Sequence, residues 1–252
     1  MQRPGKPLTS LRRMPNDVAV GARRPLVGNR LALVGAVLYF LEWVAILGFG
    51  AGTAPTDPGT SAKDIVAEYS QHSTAIALAA GWYSLVLPGR ILFVAAVRDA
   101  LRRSEARTLL ADFALGAMTL SVALEISAFM VAAGAGHAAT HGADQSTIVG
   151  LDAVGNWLDL ALWAPVGLSV LGLSVAMLWS RAFWAWLCWL GVAAGLLACV
   201  HGVIAGAAFD NASVYGVADS ASTAGVIGAW IWILVTAVVL FRARVQEPVG
   251  AD

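Results

Sequence analysis

The sequence predicts an all-α fold, a polytopic transmembrane helical bundle of about six spans with both termini in the cytoplasm. Three observations predict it. The 252 residues are 58% hydrophobic and only 13% charged, where a soluble domain carries roughly 25% charged residues, and the mean hydropathy is +0.72. The apolar residues fall into runs long enough to cross a hydrocarbon core of about 30 Å as helices. The cationic residues divide cleanly between alternate loops. A soluble chain of this size has too little interior to hide so much apolar surface, so lipid is the expected solvent for most of it.

The organisation reads as a basic tail over 1–30, a bundle over 31–241 and a tail over 242–252. The tail carries Arg3, Lys6, Arg12, Arg13, Arg23, Arg24 and Arg30. The first span, 31–51, is longer than a secretory apolar region of about 7–15 residues. Ala51-Gly-Thr-Ala54 resembles a processing site, but the length of the run and the Glu42 inside it favour an uncleaved span. A Gly/Thr/Pro stretch over 52–60 follows. Ile65, Val66 and Tyr69 then recur at helical spacing, which predicts a short interfacial helix capping the outer mouth of the bundle. The second span is placed at 74–97, where Pro88 removes an amide donor and kinks the helix. The third and fourth, 109–136 and 151–179, are long enough to tilt or protrude. The fifth and sixth are placed at 183–208 and 222–241.

Arg98, Arg102, Arg103 and Arg107 separate spans two and three, Arg181 separates four and five, and Arg242 and Arg244 follow six. With the basic tail, all of these lie on one side of a six-span bundle. The opposite loops hold Lys63 among the acids Asp57, Asp64, Glu68, Asp144, Asp152, Asp210 and Asp219. The positive-inside rule therefore orients the chain with both ends cytoplasmic, in the cell inner (plasma) membrane. An odd number of spans would spoil the partition.

Several function classes are excluded. Net charge is zero and no basic face suits nucleic acid. Cys188 and Cys199 lie eleven residues apart on one span, about 16 Å along a helix, beyond disulfide reach. No nucleotide-binding, kinase or serine-hydrolase signature occurs. His137 and His141 form an i, i+4 pair without the glutamate of a zinc protease motif, and only His72 and His201 join them. That is too few for a multi-histidine di-iron site, so neither metal nor cofactor is expected. The Asn211-Ala-Ser sequon is given no role. No internal repeat is visible, which argues against an inverted-repeat transporter. Gly191, Gly195, Gly202 and Gly206 make small faces suited to close helix packing, and they also suit a homodimer contact.

The candidate chemistry lies inside the spans, where an ionisable residue normally faces protein or a wet cavity. Glu42 is twelve residues beyond Arg30, ~18 Å in, and Glu125 is thirteen beyond Asp112, ~20 Å in. Asp159 is seven residues past Asp152, ~10 Å from the outer side, and Arg90 is eight before Arg98, ~12 Å from the inner one. His201 is placed near the outer interface. Asp152, Asn156, Asp159 and Trp163 form one polar stripe on span four. Tyr39 shares a face with Glu42, Ser121 with Glu125, and Tyr83 with Arg90. Arg90 has two open roles, as counter-ion of Glu42 or as a side chain reaching inner phosphates. Trp179, Trp184, Trp186 and Trp189 suit the interfacial belt. Trp43, Trp82, Trp163, Trp230 and Trp232 lie deeper and predict an aromatic-walled pocket beside the carboxylates.

The segments Leu31-Ala-Leu-Val-Gly-Ala-Val-Leu-Tyr-Phe-Leu, Ala62-Lys-Asp-Ile-Val-Ala-Glu-Tyr-Ser-Gln-His-Ser and Trp186-Leu-Cys-Trp-Leu-Gly191 resemble a broad group of uncharacterised bacterial multipass membrane proteins. That resemblance implies no activity. A second likeness, of site type alone, is to the membrane-bound terpene cyclases, small helical bundles in which intramembrane acids start cyclisation in an aromatic-lined cavity. It implies catalytic parts for Glu42, Glu125 and Asp159.

The expected function is that of an integral membrane enzyme, cyclase- or isomerase-like, acting by acid–base chemistry on a small lipophilic substrate that enters from membrane lipid. Glu42 or Glu125 would donate the proton and Asp159, ordered by Asn156, would accept one. Tyr39, Trp43, Trp82, Arg90, Asn156, Trp163, His201 and Trp230 would bind substrate, with indole faces stabilising positive charge. The alternatives are a proton-coupled small-molecule transporter or exporter, with the same carboxylates as a relay, and a scaffold subunit whose buried charges join helices.

Overall fold

The computed structural model describes residues 27–49, 56, 59–103, 109–207 and 212–242, without the side chains of 27–28, 205–207 and 212–222. Nearly all of the basic tail, the tail beyond 242, Ala51–Ala54 and the Asn211 sequon lie outside the described residues. Every described element is a helix: α1 (Val27–Phe40), α2 (Glu42–Gly48), α3 (Ala62–Val86), α4 (Pro88–Arg103), α5 (Leu109–Thr140), α6 (Gln145–Ser180), α7 (Ala185–Ala207) and α8 (Ala212–Arg242). Six helical stretches are long and apolar enough to cross a membrane: Asn29–Gly48, Ala62–Arg103, Leu109–Thr140, Gln145–Ser180, Ala185–Ile204 and Thr223–Arg242. The chain is a multipass membrane protein of all-α class. Trp179, Trp184, Trp186 and Trp189 are each more than half exposed, as an aromatic belt requires.

Two crossings are divided. Pro88 has no N–H to continue α3, so that helix stops at Leu87, whose own N–H still reaches the Tyr83 carbonyl at 3.0 Å. The first crossing breaks at Leu41 without Pro or Gly. Leu41 N–H is shared between the carbonyls of Val37 and Leu38, and the Trp82 indole donates to the Leu41 carbonyl at 2.7 Å. A side chain inserted into the backbone ladder is a sufficient cause for a break.

The second crossing begins earlier than its apolar run. Ser61 caps α3, accepting from Asp64 N–H at 3.2 Å. The helix then runs unbroken to Val86, so no separate interfacial helix forms over 62–69. Ile65 and Tyr69 are buried with Ala132, Ala135 and Ile148, and this packing carries the helix beyond its apolar run. At the same end Asp144 caps α6. The Ser146 hydroxyl and the Thr147 N–H and hydroxyl hold its carboxylate below the usual aspartate range.

The crossings close into a ring. Helix α1 packs on α4, α4 and α3 on α5, α5 on α6, α6 on α7, α7 on α8, and α8 on α1. Asn29 donates to the Leu240 carbonyl at 2.8 Å across the final joint, and Arg103 donates to Asn29 at 2.9 Å. Glycine sets two of the joints. A Cβ on Gly35 would stand 2.6 Å from the Gly89 carbonyl oxygen, and one on Gly89 would stand 2.6 Å from that of Gly35, so α1 and α4 touch backbone to backbone. On α7, Gly191 faces Ser174 and Trp232, and Gly195 faces Gly167 and Leu171. These glycine faces are used within the chain. Leu101, Met118, Leu173, Met177 and Leu187 fill the core toward the arginine-bearing end, with Phe93 set edge-on to Trp232 at 5.6 Å.

Candidate functional site

The contact of Gly35 with Gly89 brings the end of α1 against the start of α4, which puts Tyr39 and Glu42 beside Arg90. Glu42 is the first residue of α2, just past the Leu41 break. Arg90 follows Pro88 by two residues and is only 4% exposed. Its guanidinium pairs with Glu125 of α5 and lies over the Tyr39 ring, 4.9 Å from the centroid, a favourable cation–π placement. Buried to this extent, Arg90 does not reach a membrane interface. The Trp230 indole of α8 donates to the Tyr39 hydroxyl. From α6, Asp159 and Trp163 complete the wall.

These side chains enclose a cavity of about 90 Å³, lined by Tyr39, Glu42, Arg90, Glu125, Asp159, Trp163 and Trp230. Leu162, Val166, Val226 and Ala229 supply its apolar floor. The volume is about that of three liquid waters at ~30 Å³ each. Glu42 is 5% exposed, and among the described residues no hydrogen bond reaches its carboxylate. Arg90 acts on it through space. Asp159 interacts with the Trp163 indole one turn away, and among the described residues no salt bridge reaches it. The cavity thus holds carboxylates from α2, α5 and α6 and a single guanidinium, already bonded to one of them.

The other residues singled out from the sequence lie outside this lining. Trp43 packs edge-on behind Trp230 at 4.7 Å, and His201 packs edge-on to Trp163 at 5.2 Å. Trp82 is held by the Leu41 carbonyl. Asn156 does not order Asp159; it donates to the Asp152 carboxylate and carbonyl, both at 3.2 Å. The polar stripe on α6 therefore serves two separate places. Asp152 also accepts from the Thr56 N–H at 2.9 Å, the Thr56 hydroxyl at 2.8 Å and the Tyr69 hydroxyl at 2.8 Å. That buried knot ties Thr56, ahead of α3, to α3 and α6. Ser121, on the Glu125 face, is buried and points its hydroxyl at Met118.

The apolar floor was not anticipated from the sequence, although the spacing holds its signal. Leu162 and Val166 follow Asp159 at i+3 and i+7, and Val226 precedes Trp230 at i−4, so each shares a helix face with a polar lining residue. Among the described residues no group of three His, Cys, Asp or Glu side chains is close enough to hold a metal ion. His137 and His141 lie with ring centroids 4.0 Å apart, tilted by 31°, at the exposed end of α5.

No family model matches the chain, and no curated protein or solved structure is significantly similar to it. The resemblances drawn from its motifs gain no support from these comparisons, and only the six long apolar helices fit a multipass membrane protein.

Proposed function

We propose that the chain is a proton-coupled carrier of a small solute in the cell inner membrane, with both termini cytoplasmic, and that Glu42 and Asp159 are its loading site. The observation that carries this reading is the charge balance of the cavity. Arg90 is committed to Glu125, which leaves Glu42 and Asp159 facing a small shared space without a bonded cation. An uncompensated ion in a protein interior costs several kcal/mol, so the site calls for positive charge from outside. Protons meet that demand in a space of a few waters, and intramembrane carboxylates commonly serve as proton relays.

The size of the cavity favours a carrier over a cyclase-like enzyme. A site for an isoprenoid-sized substrate takes roughly 300–1,000 Å³, well above 90 Å³. A larger groove of about 560 Å³ does exist, lined by Phe183, Trp184, Leu234 and Arg242 among others. It lies at the α6–α7 turn, at the opposite end of α6 from Asp152, and none of its described lining residues is acidic.

The test is proton movement in proteoliposomes. With a pH gradient imposed, small charged and neutral solutes are added in turn and internal pH is read with a trapped dye. A solute-dependent proton flux that is lost in Glu42→Gln and in Asp159→Asn supports the carrier. A flux indifferent to both substitutions, or conversion of a solute to product without proton movement, overturns it.

A further inference from the structure

We infer that the solute accepted by this cavity is a small protonated amine, held with its ammonium between Glu42 and Asp159 and its carbon against the indole of Trp163 or Trp230. This rests on the reading of the cavity as a proton-loading site and names what exchanges with the proton there.

The occupant must bring positive charge, because the only cation among the described lining residues is bonded to Glu125. A metal ion fits poorly. Hard cations take six or more oxygen ligands in close array, and among the described residues no three acidic, His or Cys side chains approach closely enough to form such a set. An ammonium group asks for less. It needs one or two acceptors and tolerates aromatic faces, which attract cations at about 6 Å or less from the ring centroid. The cavity offers that combination. Glu42 is an almost wholly buried acceptor with no hydrogen bond of its own among the described residues, Asp159 is a second, and Trp163 and Trp230 close the sides. Tyr39 is less available, since Arg90 covers its face and Trp230 bonds its hydroxyl. Volume limits the rest of the molecule. Space for about three waters admits an ammonium with a short carbon chain and excludes a bulky quaternary ion.

Amine and proton then compete for the same carboxylates. Among the described residues, the titratable and charged groups around Glu42 and Asp159 are Tyr39 from α1, Tyr83 from α3, Arg90 from α4, Glu125 from α5 and, behind Trp163, His201 from α7, and the described side chains of α8 place none in the lining. Arg90 is bonded to Glu125 and reaches Glu42 only through space, so exchange of an amine for a proton falls to Glu42 and Asp159.

The experiment uses the purified full-length protein in detergent and follows tryptophan fluorescence during titration with ethylammonium chloride. Sodium chloride at equal ionic strength, ethanol and tetraethylammonium are the controls. The expected result is a saturable change with ethylammonium alone. Its apparent affinity weakens about tenfold for each unit fall in pH when one proton is displaced per amine. Glu42→Gln and Asp159→Asn each weaken it by about tenfold or more, and Trp163→Phe weakens it less. No saturable change, an equal change with sodium, or saturation indifferent to the Gln and Asn substitutions overturns the amine. Thermal unfolding of each variant shows that it is folded. A parallel acid–base titration compares protons bound by the wild type and by the Glu42→Gln/Asp159→Asn double variant. A difference in that titration without ethylammonium binding sinks the amine and leaves the proton site standing. No difference sinks the proton site itself.

Discussion

The Arg90 guanidinium is bonded to Glu125 and not to Glu42, although both carboxylates border the same cavity. That choice sorts the buried charges into a structural pair and a free one. A buried ion pair contributes little net stability, but removing one partner strands the other and costs about 3–5 kcal/mol. Arg90→Met is therefore expected to destabilise the protein strongly, by about 3 kcal/mol or more. Arg90→Met combined with Glu125→Leu recovers most of the loss. Thermal unfolding of the two singles and the double in one detergent checks this. A double variant no better than Arg90→Met contradicts the pairing.

The Asp152 knot gives a second prediction. Its carboxylate takes the Thr56 N–H, the Thr56 hydroxyl, the Tyr69 hydroxyl and the Asn156 amide. Asp152→Ala leaves buried donors unpaired at roughly 1–3 kcal/mol each, and is expected to free the loop around Thr56. Hydrogen exchange at the Thr56 amide should rise by about tenfold or more, as loss of roughly 1–3 kcal/mol implies. Cavity function should persist, because Asp152 does not line the cavity.

Close contact at the α1–α4 joint gives a third. A methyl group on Gly89 would meet the Gly35 carbonyl oxygen, the Leu38 Cβ and the Tyr39 N. Gly89→Ala is expected to cost about 1–3 kcal/mol and to move Tyr39 and Glu42 away from Arg90. Gly81→Ala, where a Cβ meets nothing within 4 Å, is the control and should be neutral or stabilising. Unfolding temperature together with tryptophan fluorescence separates the two.

The cap of α6 gives a pH prediction. The Asp144 carboxylate sits lower in the folded chain than a free aspartate because it accepts from Ser146 and Thr147. Its contribution is present above the ordinary aspartate range and is lost as pH falls through the lowered folded value. Exchange at the first turn of α6, taken relative to the intrinsic amide rate at the same pH, should therefore rise on acidification below the usual aspartate range. Asp144→Ala should show the fast rate at every pH.

Much of this architecture was legible in the sequence. Apolar run length marks the six crossings, and counting residues from the flanking charges places Glu42, Glu125 and Asp159 at comparable depths. Depth does not fix rotation about the helix axis. That is why Asp152 and Asp159, seven residues apart on one stripe, have separate partners, and why the bond from Arg90 to Glu125 could not be chosen over one to Glu42. Partners outside the apolar runs were also hidden. Thr56 lies in the Gly/Thr/Pro stretch, where no spacing points to a partner, and Ser61 starts α3 well before its hydropathy rises. The break at Leu41 has no local cause in its own residues, since it depends on Trp82 of another helix.

That break has a mechanical corollary. Leu41 and Leu87 each interrupt a crossing, and the Trp82 indole that holds one interruption stands five residues before the other. The first two crossings are thus jointed near a common level, with Glu42 just past one joint and Arg90 just past the other. Each half of a jointed crossing can pivot through a few dihedral angles while its hydrogen-bonded turns stay whole. A tilt at either joint would carry a charged side chain toward one face of the bilayer, which α5, with no proline or break along its length, cannot do without moving as an entire rod.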